Sequence, residues 1–316
     1  MRWRCPSLPL FLLFSSLTLF VGTATVSGFR ICSYNVQRFG PNKMANHRIR
    51  YTLTRVVSRC DICLLQNVVD PTGEAINSLL SSLNRRFIRR DKYRYQSVSS
   101  GSLGNSSADM QQYVFLYRAQ SVAVTGRYQY ENNQSFVRPP FVVQFHSNKT
   151  EIKDFILVPL HSDPDRAVQE IDQLYEVFQA VIKKWNNKNV MFLGDFHAAC
   201  AYVTRSDKIN IRLFTNTNFT WLIGDKVDTT VMGKVSCAYD RIVVYGQPFL
   251  EAIIPFSAQV FNLAKEFKIP NTKVLEVSDH FPVEVTLKSS ALLPQITPLL
   301  ILLSVSALMQ SFMSAL

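Results

Sequence analysis

Short apolar runs, rich in β-branched and aromatic residues, recur along the chain and are separated by polar stretches. Runs of this length and composition are typical of β-strands that are buried on at least one face. The predicted strands cover residues 30–36, 61–69, 113–118, 141–145, 154–161, 190–196, 240–246 and 281–287.

Other segments place apolar residues three or four positions apart, which is the spacing of one face of a helix. The clearest covers residues 165–185, and weaker examples cover 47–59 and 72–85. Eight or more strands with three clear helices are too strand-rich for a doubly wound Rossmann sheet. We therefore predict an α/β fold in which two packed β-sheets, flanked by helices, surround one core.

The amino-terminal segment is predicted to lie outside this fold. Residues 1–28 carry Arg2 and Arg4, then a short apolar run, and end in small residues. This pattern predicts a secretory signal peptide, with an N-terminal anchor helix as the alternative. The folded domain is accordingly predicted to cover residues 29–288.

The carboxyl-terminal segment is also apolar. From Ala291 to Leu316 the chain has no charged residue, and the small residues Ser289 and Ser290 precede it. A spanning helix normally carries basic residues on its cytoplasmic side, whereas the signal for a lipid anchor ends in its apolar tail. We therefore predict that residues 289–316 are a hydrophobic tail that signals a glycosylphosphatidylinositol (GPI) anchor.

Composition and glycosylation sequons agree with an exported, folded chain. The 316 residues are 47% hydrophobic and 18% charged, which excludes a disordered tail or a fibre. The net charge of +11 favours anionic partners. Export also permits disulfides and glycosylation. The Asn-X-Ser/Thr sequons begin at Asn105, Asn133, Asn148 and Asn218.

Polar residues stand at the ends of several predicted strands, where a buried strand would ordinarily be apolar. Each one alone is explained by a turn cap or a satisfied core residue, but together they form a chemical inventory. Polar groups gathered at strand ends commonly build the site of an α/β fold. These residues are Asn35, Asn67, His161, Asp195, His197, Asp240, Asp279 and His280.

Six ordered motifs carry a resemblance to a known family. They are RICSYNVQRFG at 30–40, LVPLHSDP at 157–164, FLGDFHAAC at 192–200, WLIGDKVDTT at 221–230, CAYDRIVV at 237–244 and VSDHFPVEV at 277–285. With these motifs the chain resembles the deoxyribonuclease I family over nearly all of residues 29–288. It is most similar to the secreted and membrane-anchored members.

The resemblance implies a four-layer α/β sandwich of two central mixed β-sheets, and Mg²⁺- or Ca²⁺-dependent hydrolysis of DNA phosphodiesters without sequence specificity. It also implies a disulfide between Cys200 and Cys237. Cys32, Cys60 and Cys63 are then expected to be buried thiols. A protein of this kind is expected in the secretory pathway, either secreted or anchored on the outer face of the plasma membrane.

The resemblance also implies roles for individual residues. His161 and His280 correspond to the two catalytic histidines, and Asp240 corresponds to the carboxylate that orients His280. Asp195 and Asp279 correspond to acidic residues of the metal site. The positions that correspond to contacts with the phosphate or the DNA backbone are Asn35, Arg138, His197 and Tyr239.

At three site positions the chain has a different residue from the family. Asn67 stands where the family has a metal-binding glutamate, and Gln111 stands where it has the glutamate that orients His161. His197 replaces the phosphate-facing asparagine. Asp109 is the alternative to Gln111 if the loop before residues 113–118 is one turn different.

These departures weaken the predicted chemistry. Hard cations prefer charged oxygen ligands, so Asn67 makes a poorer Mg²⁺ or Ca²⁺ ligand than glutamate, and a neutral Gln111 stabilises an imidazolium less well. We therefore expect weak or absent hydrolysis, with a role in binding DNA or a protein partner. The alternative is an active, metal-dependent DNA endonuclease; Asn67, Asp195 and His197 would then favour Zn²⁺.

One segment is strongly basic. Residues 85–96 hold six basic side chains and form the most basic window of the chain. A solvated loop at the end of a helix explains it, and an additional contact with the DNA backbone is the alternative. No recognition helix or zinc-finger spacing predicts base-specific reading.

Overall fold

The structure is a computed structural model, which describes residues 28–87, 93–131, 134–231 and 236–290. The expectations of a signal peptide and of a lipid-anchor tail fall almost entirely outside these residues. So does the centre of the basic window, residues 88–92. Within the described ranges, no helix is long and apolar enough to cross a membrane.

Twelve strands form the described part of the fold. They are β1 (Phe29–Phe39), β2 (Ile62–Val68), β3 (Tyr95–Ser99), β4 (Gln112–Arg118), β5 (Ala123–Gln129), β6 (Phe141–His146), β7 (Asp154–His161), β8 (Val190–Asp195), β9 (Phe219–Trp221), β10 (Asp240–Tyr245), β11 (Gln259–Val260) and β12 (Val283–Leu287). All eight predicted strands are among them. The sequence did not predict β3, β5, β9 and β11. Of these, β9 has three residues and β11 has two.

The predicted helices are present with small shifts at their ends. The α-helices are α1 (Pro41–Ala45), α2 (His47–Val57), α3 (Glu74–Phe87), α4 (Ala167–Trp185), α5 (Arg212–Thr215), α6 (Gln247–Glu251), α7 (Leu263–Phe267) and α8 (Asn271–Leu275). Asn46 caps α2, because its side chain accepts hydrogen bonds from the backbone N–H groups of Arg48 and Ile49. The five short helices have four or five residues each and gave no periodic signal.

The strands form two six-stranded mixed sheets. The first has the order β11-β12-β1-β2-β4-β3 and the second has the order β5-β6-β7-β8-β10-β9. Strands β1 and β2 are parallel in the first sheet, as are β7 and β8 in the second, while the other neighbours are antiparallel. The prediction of two mixed sheets is confirmed.

Strand alternation explains the four layers. In β1, Ile31 faces the core between the two sheets, while Cys32 and Tyr34 face the helices that cover the first sheet. In β7, Leu157 faces the same inner core, and Val158 packs in the cluster that contains α4. Since side chains of successive strand residues point to opposite faces, both faces of each sheet are buried.

The cysteines required one correction. Cys200 and Cys237 form a disulfide, as the resemblance implied. Cys32 and Cys60 also form a disulfide, so the expectation that they are thiols was wrong. Cys63 is the buried free thiol of the described residues. The missed bond joins β1 to Cys60 in the turn between α2 and β2, and only the tertiary fold brings these positions together.

Candidate active site

Strand register in the second sheet aligns three of the predicted site residues. His161, the last residue of β7, pairs with Asp195, the last residue of parallel β8. On the other side of β8 lies β10, which runs antiparallel to it, so Asp240, the first residue of β10, pairs with Asp195. A histidine and two aspartates therefore lie side by side at one edge of this sheet.

The first sheet contributes two side chains to the same place. Asn35 Nδ2 donates a hydrogen bond of 2.9 Å to Asp195 Oδ2. Gln66 accepts a hydrogen bond from the backbone N–H of Asp195 and donates one to the carbonyl of Leu160, at 3.0 and 2.5 Å. A Cβ atom at Gly194 would lie 2.3 Å from the Gln66 amide, so the close approach of the two sheets requires glycine there.

His280 lies just before β12 and is held by a carboxylate. Its Nδ1 lies 2.7 Å from Asp240 Oδ2, and its Nε2 lies 3.5 Å from Asp195 Oδ2. Both carboxylates are fully buried, and His280 is 8% exposed. Burial lowers the pKa of His280, but the two carboxylates outweigh it and raise the pKa to about 10. The ring is therefore an imidazolium at neutral pH.

His161 is held by an amide instead. Its Nδ1 lies 2.7 Å from Gln111 Oε1, and its Nε2 lies 3.7 Å from Asp195 Oδ2. The competing residue, Asp109, is exposed and accepts a hydrogen bond from the Ser106 hydroxyl. Because an amide oxygen only accepts, Nδ1 of His161 carries the hydrogen, and Nε2 has a free lone pair in the neutral ring.

Electrostatics separates the two histidines. Burial lowers the pKa of His161 well below its ordinary value; Arg138 adds to this effect, and Asp195 opposes it. Burial disfavours the carboxylate form of Asp195, but the surrounding imidazoles outweigh burial and hold its pKa below the ordinary range. One imidazole is thus neutral and the other is charged, and both face the same carboxylate.

His197 is the third imidazole beside Asp195. Its backbone has a positive φ of 49°, and its N–H donates a hydrogen bond of 3.2 Å to Asp195 Oδ1. Its Nδ1 lies 3.5 Å from Asp195 Oδ1 and 3.1 Å from the Ser162 hydroxyl. The rings of His161 and His197 are nearly parallel, with centroids 5.9 Å apart.

Arg138, a predicted contact for the DNA backbone, is only 5% exposed. Its guanidinium donates hydrogen bonds to the carbonyl oxygens of His161 and Ser162, at 3.1 and 3.0 Å. The Tyr113 hydroxyl accepts a hydrogen bond from the His161 N–H and donates one to the Arg138 carbonyl, each at 3.0 Å. Arg138 therefore holds the chain segment that carries His161.

The other predicted contact residues are more open. The Tyr239 ring lies beside His197 and His280, with centroids 5.5 and 6.3 Å away. Asp279 has a side chain that is 52% exposed, and its Oδ1 lies 3.9 Å from His280 Nε2. Both residues thus lie at the rim of the cluster around Asp195.

Asn67 sits in β2 directly after Gln66, with a left-handed φ of 61°. Its buried Oδ1 has no hydrogen-bond partner among the described residues. A buried carbonyl oxygen without a partner fits a cation that would supply the missing contact. This oxygen can serve as a ligand for a divalent cation, although the amide carries one negative charge fewer than a glutamate would.

Sequence reasoning missed three residues that arrange the site: Gln66, Tyr113 and Ser162. Gln66 is the one with a visible signal, because a glutamine inside an otherwise apolar strand is unusual at a fully buried position. Tyr113 and Ser162 looked like ordinary strand and loop residues. Their hydrogen bonds to neighbours of His161 become apparent only in the fold.

Comparison with known proteins agrees with this geometry. The model of the Endonuclease/Exonuclease/phosphatase family matches residues 32–280. Deoxyribonuclease gamma of Mus musculus is 41% identical over 282 residues, covering 87% of this chain and 90% of the relative. Deoxyribonuclease-1 of Rattus norvegicus is 42% identical over 267 residues, covering 83% and 92%.

Solved structures share the fold at much lower identity. The endonuclease/exonuclease/phosphatase from Bacteroides vulgatus superposes with a TM-score of 0.56 at 16% identity, covering 82% of this chain and 98% of that one. The catalytic domain of human Nocturnin gives a TM-score of 0.56 at 12% identity, covering 83% and 94%. The family match and the identity to the two deoxyribonucleases over most of their length place this chain in the deoxyribonuclease I family of the endonuclease/exonuclease/phosphatase fold.

Proposed function

We propose that this protein hydrolyses DNA phosphodiester bonds with the help of a divalent cation, at a strongly reduced rate. One observation carries the proposal: the Nε2 atoms of His161 and His280 lie 3.7 and 3.5 Å from the same oxygen of Asp195. Two imidazoles with different partners, converging on one point, provide a proton acceptor and a proton donor. The names of the two mammalian relatives point to DNA as the substrate.

The partners of the two rings assign their roles. Gln111 keeps the hydrogen of His161 on Nδ1, so the lone pair of Nε2 can accept a proton from an attacking water. Asp240 and Asp195 hold His280 as an imidazolium, so its Nε2–H can protonate the leaving oxygen. Asn35 holds Asp195 between them.

A divalent cation is implied by the family, and we assign Asp195, Asp279 and Asn67 as the residues that would hold it. When bound, it would neutralise charge that develops on the phosphate. The buried cluster around Asp195 is rich in nitrogen, and the neutral Asn67 contributes no charge. Mg²⁺ and Ca²⁺ should therefore bind more weakly here than at a site with a glutamate.

Gln111 weakens catalysis for a different reason. After His161 accepts a proton, its charge faces an amide oxygen and not a carboxylate on the Nδ1 side. The imidazolium is less stabilised, so His161 is a poorer base. General acid–base catalysis supplies about 10²–10⁴-fold and a lost ligand or supporting group costs about 10–100-fold, so the combined loss is large.

Nicking of supercoiled plasmid by the purified protein tests this proposal. With Mg²⁺ and Ca²⁺ we expect slow nicking. The same assay is then repeated with Mn²⁺ and with Zn²⁺. His161→Ala should abolish the nicking. His146, the last residue of β6, pairs with Asp154 at the end of β7 opposite to His161, so His146→Ala is a matched control and should leave the nicking unchanged. Nicking that survives His161→Ala would overturn the assignment.

A catalytically silent DNA-binding role is the second candidate, and the neutral Gln111 and Asn67 favour it. Binding to the DNA backbone releases counterions, so the affinity should fall as salt is added. A protein without nicking activity but with salt-dependent DNA binding would fit this role. Binding that is insensitive to salt, or absent, would direct attention to a protein partner.

We also propose that the protein is exported and held on the outer cell surface by a GPI anchor. The two disulfides support export. The sequon residues Asn105, Asn148 and Asn218 are exposed, as glycosylation requires. Release of the protein from cells by phosphatidylinositol-specific phospholipase C would support the anchor, and full retention would contradict it.

A further inference from the structure

Three side chains of the site form a group with the chemistry of a transition-metal ligand set. One ligand atom each from His161, Asp195 and His197 can be chosen so that all lie within 4.8 Å of one another, and all three residues are buried. We propose that these residues form a Zn²⁺ site, which is additional to the site for hard cations that the family implies. His197 creates it, because the asparagine expected at that position has no imidazole nitrogen.

The spacing fits zinc. In a tetrahedral site with Zn–N and Zn–O bonds of about 2.0–2.1 Å, neighbouring ligand atoms lie about 3.3–3.4 Å apart. Asp195 Oδ2 lies 3.7 Å from His161 Nε2, and the other oxygen of the same carboxylate, Oδ1, lies 3.5 Å from His197 Nδ1. Small side-chain shifts are therefore enough to place one ion between the three groups.

The tautomer of His161 is already set for coordination. Gln111 Oε1 accepts the hydrogen on Nδ1, which leaves the lone pair of Nε2 directed towards Asp195. A metal-binding histidine usually donates its other ring N–H to an oxygen acceptor in this way. The glutamine that weakens His161 as a base is thus well suited to support it as a zinc ligand.

His197 must change its tautomer to coordinate. The Ser162 hydroxyl donates to the carbonyl of Phe196 at 2.9 Å, so the hydrogen between His197 Nδ1 and Ser162 Oγ belongs to the imidazole. A neutral imidazole would coordinate through the lone pair of Nδ1 once that hydrogen has moved to Nε2, so the ring stays neutral.

The ligand types favour zinc over magnesium. Two imidazole nitrogens and one carboxylate suit a borderline cation, whereas Mg²⁺ and Ca²⁺ prefer oxygen ligands. A zinc ion here would occupy Nε2 of His161. This consequence rests on the proposed function: if His161 is the proton acceptor, bound zinc should inhibit nicking supported by Mg²⁺ and Ca²⁺.

The experiment measures metal binding without DNA. Co²⁺, a spectroscopic substitute for Zn²⁺, should produce visible absorption bands at one equivalent, and Zn²⁺ should displace it. His197→Asn should weaken Zn²⁺ binding at least 10-fold, measured by competition with a chromogenic chelator. His146→Asn should leave binding unchanged, because that exposed histidine is paired with Asp154 elsewhere on the chain. Unchanged affinity in His197→Asn would overturn the site.

A second variant and a second readout guard against a trivial result. Thermal unfolding of His197→Asn should match that of the parent chain; if it does not, His161→Ala provides an independent loss of a ligand. None of these measurements depends on nuclease activity, so the zinc site can be confirmed or contradicted independently of the proposed hydrolysis.

Discussion

Asn35 Nδ2 and Asp195 Oδ2 are joined by a buried hydrogen bond of 2.9 Å that spans the two sheets. The same asparagine accepts a hydrogen bond from the Gln37 N–H through Oδ1, and its carbonyl accepts one from the Ser278 hydroxyl. Asn35 therefore links Asp195 to the last part of β1 and to the segment that carries Ser278. It is only 3% exposed, so any direct contact with a phosphate is restricted to a small area.

Substitution of Asn35 should destabilise the fold in a charge-dependent way. Asn35→Ala removes the hydrogen bond to Asp195 and should cost about 1–3 kcal/mol of unfolding free energy. Asn35→Asp places a second carboxyl beside Asp195, so it should cost more than Asn35→Ala at pH 7. At pH 4 the new carboxyl is partly protonated and can donate to Asp195, so the difference in unfolding free energy between the two variants should become smaller. Urea unfolding at both pH values measures this difference.

The contrary result for Asn35 is also clear. If Asn35→Asp is as stable as the parent chain at pH 7, the neighbouring imidazoles neutralise both carboxylates and the bond to Asp195 matters little. Ser278→Ala is a useful comparison, because it removes the hydrogen bond to the Asn35 carbonyl without changing the amide.

Restoring two carboxylates should restore activity. Asn67→Glu adds a charged oxygen at the expected metal position, and Gln111→Glu adds a carboxylate beside His161 Nδ1. The double variant should nick plasmid at least 10-fold faster than the parent with Mg²⁺ and Ca²⁺, since one supporting group alone is worth about 10–100-fold. Initial nicking rates at equal protein concentration measure the gain.

The same two changes can be made on exposed helix faces as a control. Asn77 in α3 and Gln179 in α4 are exposed, so Asn77→Glu with Gln179→Glu adds the same charge away from the site. This control should not change the rate. An absence of any gain in Asn67→Glu with Gln111→Glu would mean that the two neutral residues are not what limits hydrolysis.

The cysteines should differ in reactivity. Residues 28–290 contain five cysteines, and burial raises the pKa of the Cys63 thiol to about 12. In that segment, a thiol reagent should find no reactive group in the native state and one after unfolding in guanidinium. Mild reductant should open Cys200–Cys237 first, because Cys200 is exposed while Cys32 and Cys60 are buried. Three thiols after unfolding without reductant would contradict the Cys32–Cys60 bond.

The central strands and the site residues at their ends could be predicted from the sequence. A strand buried on both faces is a continuous apolar run, so the polar residue that ends it, such as His161 or Asp195, is conspicuous. The register that pairs these two residues requires only that β7 and β8 be parallel neighbours. Local pattern and simple topology together therefore locate much of the site.

What the sequence could not reveal depends on contacts between distant segments. Gln66 acts through Asp195 and Leu160, which lie in the other sheet. The Cys32–Cys60 bond requires β1 to lie beside the turn that follows α2. The edge strands β3 and β5 carry exposed residues and lack a clean apolar run. In each case the deciding interaction is tertiary, and no local pattern encodes it.

Glu170 should make stability depend on pH. This buried residue at the start of α4 accepts hydrogen bonds from the Val137 and Asp163 N–H groups, at 2.8 and 3.2 Å. Burial outweighs these bonds and raises the pKa of Glu170 to about 7. In the unfolded chain the carboxyl ionises near pH 4.5, so its contribution is complete below that pH and is lost as the pH rises towards 7. The unfolding free energy should fall by about 3 kcal/mol over this pH range.

Comparison with Glu170→Gln isolates this contribution. The variant cannot ionise there, and its amide satisfies only one of the two N–H donors, so it should be less stable than the parent at pH 4.5. The difference between the two unfolding free energies should shrink as the pH rises to 8. A difference that stays constant between pH 4.5 and 8 would mean that Glu170 ionises with an ordinary pKa in the folded state.

Arg138 should behave as a positioning residue for His161 more than as a contact for DNA. Its guanidinium donates to the carbonyls of His161 and Ser162 inside the protein. Arg138→Lys keeps the charge but loses the planar set of donors, so it should lower both the melting temperature and the nicking rate. Arg138→Gln removes the charge, so it tests for a phosphate contact. If Arg138 makes none, the slope of DNA affinity against salt should stay the same in this variant, since each phosphate contact contributes about one unit. A shallower slope with unchanged stability would instead assign Arg138 to the DNA backbone.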